Sequence, residues 1–274
     1  MRYSSGMTRK RKYGFLFVLV CLSCSSLFSQ DDAARSRLFA AHAQYYTPTA
    51  SGLKSFHCDA SIDWKAMLSR FSGTDVPDDN PFLTYLYTIH LAVSDDLRGK
   101  GSLDWTTTVA PPAGKEEPAR QIREGLQTSV AGFFQSWNAY MNGSMVPLPD
   151  STITIKTVET GFHLSGMSGD LKLDEDFDKN MLLTQVKVVG ADLKVLATPS
   201  YVTTPDGLVV SAVTSQVNQP PTAPLTEVTF HIEYAKVDSF QIPSHVIFDV
   251  KNTGVIAIDF SACKASVGDF TKNQ

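Results

Sequence analysis

This sequence has little of what catalytic and nucleic-acid-binding chains display. Its 274 residues include four cysteines, two of them at positions 21 and 24, and the spacing of the other two excludes a zinc ribbon or a Cys-x-x-Cys redox pair. Beyond Lys12 no basic cluster occurs and the formal charge is −4. Phosphate binding needs concentrated Lys and Arg, so no nucleic-acid partner is expected. The apolar run from Tyr13 to Leu22 is short of the ~20 residues that a membrane-spanning helix requires.

Chemistry-bearing motifs are equally scarce. The histidines are His42, His57, His90, His163, His231 and His245, and none stands at the spacing that gives two ligands to one metal. Gly166-Met-Ser-Gly169 lacks the spacing of a nucleophile elbow, and Gly99-Lys-Gly-Ser102 has no glycine five positions before Lys100, which a phosphate-binding loop would need. Asp174-Glu-Asp-Phe-Asp-Lys-Asn180 begins like a calcium loop. However, Lys179 stands at the glycine position and Gln185 at the closing acid, so it reads as a solvated acidic turn before a strand starting near Met181. Asn142-Gly-Ser144 is a glycan acceptor only in a eukaryotic secretory pathway. With no nucleophile, metal or acid–base constellation to name, the expectation is a protein that is not an enzyme and needs no cofactor.

What is present starts with a leader. Arg9-Lys-Arg-Lys12, the apolar run and a small-residue segment ending at Ser29 follow the three-part plan of a secretory signal peptide, with cleavage near Gln30. A lipidated Cys24 is the alternative, although Cys21 stands where an aliphatic residue belongs. Losing residues 1–29 removes Arg2, Arg9, Lys10, Arg11 and Lys12 and no acid, leaving a mature chain of charge about −9. The expected location is the periplasm or the medium. Cys58 and Cys263 then remain, and an oxidising compartment invites them to pair, with two buried free thiols as the alternative.

The mature chain, 30–274, shows no internal repeat or linker and reads as a single domain. A helix is expected from Asp31 to Tyr46, then a strand in which Phe56, Cys58, Ala60, Ile62 and Trp64 alternate with polar residues. A short helix over Trp64 to Phe71 follows, then a long strand through Leu83, Tyr85, Tyr87, Ile89, Leu91 and Val93, and its partner over Ser102 to Val109. The remainder reads as strands, marked by Ile153, Phe162, Leu171, Leu183 to Val189, Leu208 to Val213, Val228 to Tyr234, Phe240 to Val250, and Val255 to Cys263. No βαβ rhythm occurs, so the fold class is α+β with an antiparallel sheet. About ten strands need one face covered. A curved half-barrel plugged by helices or a sandwich would do this, and the helices favour the half-barrel.

One long helix interrupts the strands, Glu116 to Met141. Its apolar positions Leu126, Val130, Phe133, Phe134, Trp137 and Met141 recur at three and four residues, with Ile122 and Tyr140 beside them. Something apolar must cover this stripe. It can be a dry core, or it can line a cavity in which an acyl chain gains roughly 0.8 kcal/mol per buried CH₂. In the second case these six residues are the ligand-lining set.

Taken together, the export signal, the N-terminal helix, the helices over antiparallel strands and a late Phe-x-Ile-Pro strand with its hairpin resemble the LolA-like group of bacterial lipoprotein-localisation carriers. The likeness is carried by Glu233-Tyr-Ala-Lys-Val-Asp-Ser-Phe-Gln-Ile-Pro243, Val246-Ile-Phe-Asp-Val250 and Gly254-Val-Ile-Ala-Ile258. It implies an incomplete β-barrel closed by helices over a hydrophobic cavity, and as ligand a lipid, a lipoprotein acyl chain or another hydrophobic molecule. Those carriers present an arginine on an early strand, whereas Leu53 to Trp64 here carries only Lys54 as a cation. The alternative to a ligand-binding protein is an envelope module with a filled core that binds a protein partner.

Overall fold

The computed structural model describes residues 35–98, 101–142, 153–251 and 254–268. The leader, Cys24, Gln30, Lys100 and the Gly143-Ser144 part of the glycan motif lie outside the described residues. Among the described residues no helix is long and apolar enough to cross a membrane.

A helical segment, α1, runs over 35–42. Then come β1 (Leu53–Ile62), α2 (Trp64–Ser72), α3 (Pro81–Leu86), β2 (His90–Asp95), β3 (Ser102–Thr106) and α4 (Glu116–Met141). Nine strands complete the described chain: β4 (Thr154–Val158), β5 (Gly161–Ser168), β6 (Leu171–Asp178), β7 (Leu183–Val189), β8 (Lys194–Thr204), β9 (Gly207–Asn218), β10 (Thr226–Val237), β11 (Phe240–Val250) and β12 (Gly254–Val267). All twelve form one antiparallel sheet in the order β3-β2-β1-β12-β11-β10-β9-β8-β7-β6-β5-β4. The sheet is open and curved, and a sandwich is excluded because there is no second sheet among the described residues.

Three sequence expectations are corrected. The strand expected through Leu83 to Val93 is α3 followed by β2. Pro81 opens α3, and the Asn80 side chain accepts hydrogen bonds from the backbone N–H groups of Phe82 and Leu83, local capping that outweighs the alternating apolar pattern. The acidic turn expected at Asp174 is part of β6, because a strand can place Asp174 and Asp176 on one side and Glu175 on the other. β8 escaped the sequence reading, since Pro199 and Pro205 mark it as loop. Pro199 sits beside a register irregularity at Ser200/Tyr201, the setting in which a strand tolerates proline.

Strand order fixes where the long helix goes. β3 and β4 are the two sheet edges, and α4 is the segment that connects them. Twelve strands span roughly 50 Å, and 26 helical residues span about 39 Å. The connection therefore runs along the sheet, and Phe56, Phe230, Phe248 and Phe260 meet α4 rings on one sheet face. Glu116 and Glu117 sit in the first turn of α4, where the positive end of the helix dipole favours acids. Outside, Arg120 pairs with Glu117 and Glu124.

The first and last strands meet in the sheet interior. Cys58 and Cys263 form a disulfide with Cα atoms 4.0 Å apart, compatible with an exported protein. Register shifts between His57 and Asp59, and Ala262 across from it holds φ 48°. This bulge places two residues opposite Cys58. Further irregularities at Asp176/Phe177, Ser200/Tyr201 and Glu233/Tyr234 bend the sheet along its width.

The segment after α1 joins the β8–β9 hairpin. Leu208 N–H donates to the Gln44 carbonyl at 2.8 Å and Tyr46 N–H to the Leu208 carbonyl at 2.9 Å. Gly207 permits this approach, with φ 126° and room so tight that a Cβ would stand 3.0 Å from Gln44 O and Tyr46 N. Leu38, Ala41, Tyr45 and Tyr46 are thereby buried.

At the other end of α4, Asn138 Nδ2 donates to both Asp95 oxygens at 3.0 and 2.9 Å, and Leu97 N–H donates to Asp95 Oδ1. Asp95 is 1% exposed. Burial pushes its carboxyl up to about 6, and the Asn138 and Leu97 donors pull against that rise. Removing the amide leaves a buried carboxylate short of donors above that pH. Asn138→Ala is expected to lower stability by about 2 kcal/mol at pH 8 and by less at pH 5, where Asp95 is protonated. Urea unfolding at the two pH values reads the difference.

Candidate functional site

The six stripe residues of α4 are brought together. Leu126, Val130, Phe133, Phe134, Trp137 and Met141 are each 2% exposed or less, all on the side of the helix that faces the sheet. Phe133 meets Phe134, Phe230 and Phe248 with ring centroids 5.0 to 5.8 Å apart. Phe134 stacks on Phe260 at 6.1 Å, and Phe56 lies edge-on to both Phe134 and Trp137. Separations of this kind are favourable aromatic geometries. Trp137 Nε1–H donates to the Tyr234 hydroxyl at 3.0 Å, which donates to the Val210 carbonyl at 2.7 Å. The middle of α4 is thus seated on the sheet through rings and one buried hydrogen-bond chain.

A polar group lies farther along the same sheet. On β6, Glu175 has Leu164 of β5 and Val186 of β7 as its register partners, and Val186 in turn faces Ala197 of β8. Directly paired residues share a face, so the carboxyl stands on the side where Leu164, Val186 and Ala197 are buried. Glu175 is 2% exposed and its Oε1 has no hydrogen-bond partner. Burial pushes this acid up to about 8, so it is mostly un-ionised at neutral pH.

Tyrosines of α4 and β8 lie within reach of its charge. Tyr140 of α4 and Tyr201 of β8 are held above the ordinary tyrosine range, mainly by burial. For Tyr140 the Glu175 charge adds to that, and for Tyr201 the neighbouring Tyr45 and Tyr140 do so before Glu175. The Tyr201 hydroxyl is buried, makes no close hydrogen bond, and lies beside the Tyr45 hydroxyl. Tyr45 meets the Tyr201 ring edge-on at 5.2 Å, but its own hydroxyl is occupied, accepting from Leu183 N–H at 2.9 Å. Tyrosines from chain segments distant in sequence thus feel the charge of one buried acid.

Among the described residues Asn142 Oδ1, just after α4, is also buried without a partner, while the histidine–acid pairs lie between strands. His163 Nδ1 meets Asp176 at 2.8 Å and His245 Nδ1 meets Asp259 at 2.6 Å, both pairs between neighbouring strands. Among the described residues no three His, Cys, Asp or Glu side chains stand together as a metal site. A recess of about 150 Å³ at the start of α4 is lined by Tyr85, Trp105, Glu116 and Arg123 among others, but its polar groups lie at the surface.

Glu175 was hidden in the sequence by its neighbours. In a run of acids it reads as one more solvated charge. The usable signal was phase: Leu171, Leu173, Glu175 and Phe177 occupy one side of β6, and an acid in an otherwise apolar phase is the exception.

A raised acid makes stability fall with pH. The folded state holds the Glu175 proton more tightly than the unfolded state, so its contribution is complete below about pH 4.5 and is lost as pH rises toward 8. Glu175→Gln cannot ionise. Wild type is expected to lose stability relative to this variant by up to about 1.4 kcal/mol per pH unit across that window. Paired denaturant titrations at pH 5, 6.5 and 8 measure it, and a constant difference would contradict the assignment.

Compared with known proteins, the chain matches no family model, no curated protein and no solved structure, so its function has to be argued from this geometry.

Proposed function

We propose that the chain is an exported, non-enzymatic binding protein of the cell envelope that holds a hydrophobic ligand, a lipid or an acyl chain. In this reading the curved sheet is a LolA-like half-barrel, α1 and α4 cover its concave face, and the ligand lies between helices and sheet. One observation carries it: Glu175 Oε1 is buried without a partner beside the apolar Leu164, Val186 and Ala197. An unpaired buried polar group costs about 1–3 kcal/mol, a cost that a site for an amphiphilic ligand recovers on binding and an ordinary core does not.

The α4 stripe contributes the apolar wall. Its rings are engaged with the sheet, so a chain that reaches Phe133, Phe134 and Trp137 has to displace ring contacts. Those same contacts favour the second reading, an interaction module with a filled core whose outer surface binds an envelope protein. Glu175 supports the first, because a filled core gains nothing from an acid with an unpartnered oxygen.

Displacement of an environment-sensitive naphthylamine dye by palmitic acid tests the reading. Saturable displacement with a Kd in the micromolar range, about −8 kcal/mol, is expected at concentrations below micelle formation. Absence of saturable displacement by fatty acids, phospholipids and lipopeptides, from protein that is folded by circular dichroism, would move the assignment to the interaction module.

A further inference from the structure

The geometry points to Glu175, Tyr201 and Tyr140 as a polar subsite that donates hydrogen bonds to the acyl carbonyl oxygen of an ester, amide or un-ionised fatty acid. This inference rests on the ligand-binding reading above and adds which end of the ligand is read, and by what. Its basis is placement. Glu175 comes from β6 and Tyr140 from the C-terminal half of α4, both buried, and Tyr201 of β8 is partly buried against the same core with its hydroxyl inside.

The donors set the ligand class. A carboxyl in this setting keeps its proton, which makes it a donor as well as an acceptor, and a tyrosine hydroxyl is the same. Such a group has no fixed charge with which to select an anionic or cationic headgroup. It satisfies instead a neutral oxygen acceptor at the end of an apolar chain, and Leu164, Val186 and Ala197, which share its face of the sheet, are apolar neighbours for that chain. A quaternary amine would require the carboxylate, with the desolvation cost of a buried charge.

The groups around the acid bear on its titration. The hydroxyls of Tyr140, Tyr201 and Tyr45 feel its charge, and its register neighbours Leu164 and Val186 are apolar. None of these is charged at neutral pH. Raising pH through about 8 therefore removes the donated proton and places a negative charge beside the ligand's carbonyl oxygen.

Methyl laurate is the probe, because it has a carbonyl and no titratable group, so any pH dependence belongs to the protein. Binding is measured by dye displacement for full-length mature wild type, Glu175→Gln, Glu175→Leu and Tyr201→Phe, each checked for fold by circular dichroism. Wild type is expected to bind saturably and to weaken several-fold between pH 6 and pH 9, while Glu175→Gln stays flat over that range. Glu175→Leu and Tyr201→Phe are each expected to weaken methyl laurate about tenfold at pH 6, the value of one hydrogen bond. If wild type binds but Glu175→Leu and Tyr201→Phe bind equally well, the subsite is refuted and the ligand-binding reading stands. Tighter binding of dodecyltrimethylammonium than of methyl laurate, strengthening with pH, would make Glu175 a counter-ion and also refute it. If wild type binds no apolar chain at all, both fall together. Should Glu175→Leu not fold, the flat pH profile of Glu175→Gln against the sloping wild type decides.

Discussion

The pairing of β1 with β12 is the constraint on which the rest depends. It takes the first strand of the sheet and the last and sets them side by side in its interior, with the Cys58–Cys263 disulfide across the junction. Every other strand pair joins neighbours in sequence. The free edges must then be β3 and β4, and the chain between them has to travel the width of the sheet. α4 is that chain. Its position follows from topology, and its apolar stripe makes the position favourable, because the sheet face it crosses carries Phe56, Phe230, Phe248 and Phe260.

From this one arrangement come two different interiors. Under the middle of α4, rings pack on rings, and the Trp137–Tyr234–Val210 hydrogen-bond chain fixes the helix in rotation. Toward β6 and β8 the contributing side chains become Glu175, Tyr140, Tyr201 and Tyr45. An acid there costs stability at neutral pH, and its Oε1 returns no hydrogen bond. Proteins retain such groups where they serve something other than folding. Apolar packing holds the fold, and the polar end is where the proposed ligand would gain specificity.

Much of the fold was legible in the sequence because period and capping act locally. The bounds of α4 follow from its three-and-four spacing, and β10 from strict alternation. The meeting of first and last strands was legible through Cys58 and Cys263, the two cysteines that remain once the expected leader is set aside. Errors arose where a local rule met a stronger one: alternation through Tyr85 gave way to the Asn80 cap and Pro81, and Pro199 concealed a strand that tolerates it beside an irregularity. The site was less legible. The stripe from Leu126 to Met141 announces burial but not whether rings or a ligand fill the space, since both need the same residues. Glu175 required knowing that β6 continues through the acidic run, and Tyr201 belongs to the strand that was missed.

The most direct measurement is native mass spectrometry of the mature protein purified from its own cells, followed by solvent extraction of whatever accompanies it. The account predicts a discrete mass above that of the polypeptide, lost on gentle activation, and an extract that contains an acyl chain ending in a neutral carbonyl group. A folded, disulfide-bonded protein that carries only its polypeptide mass, and stays so after incubation with such lipids, would contradict it.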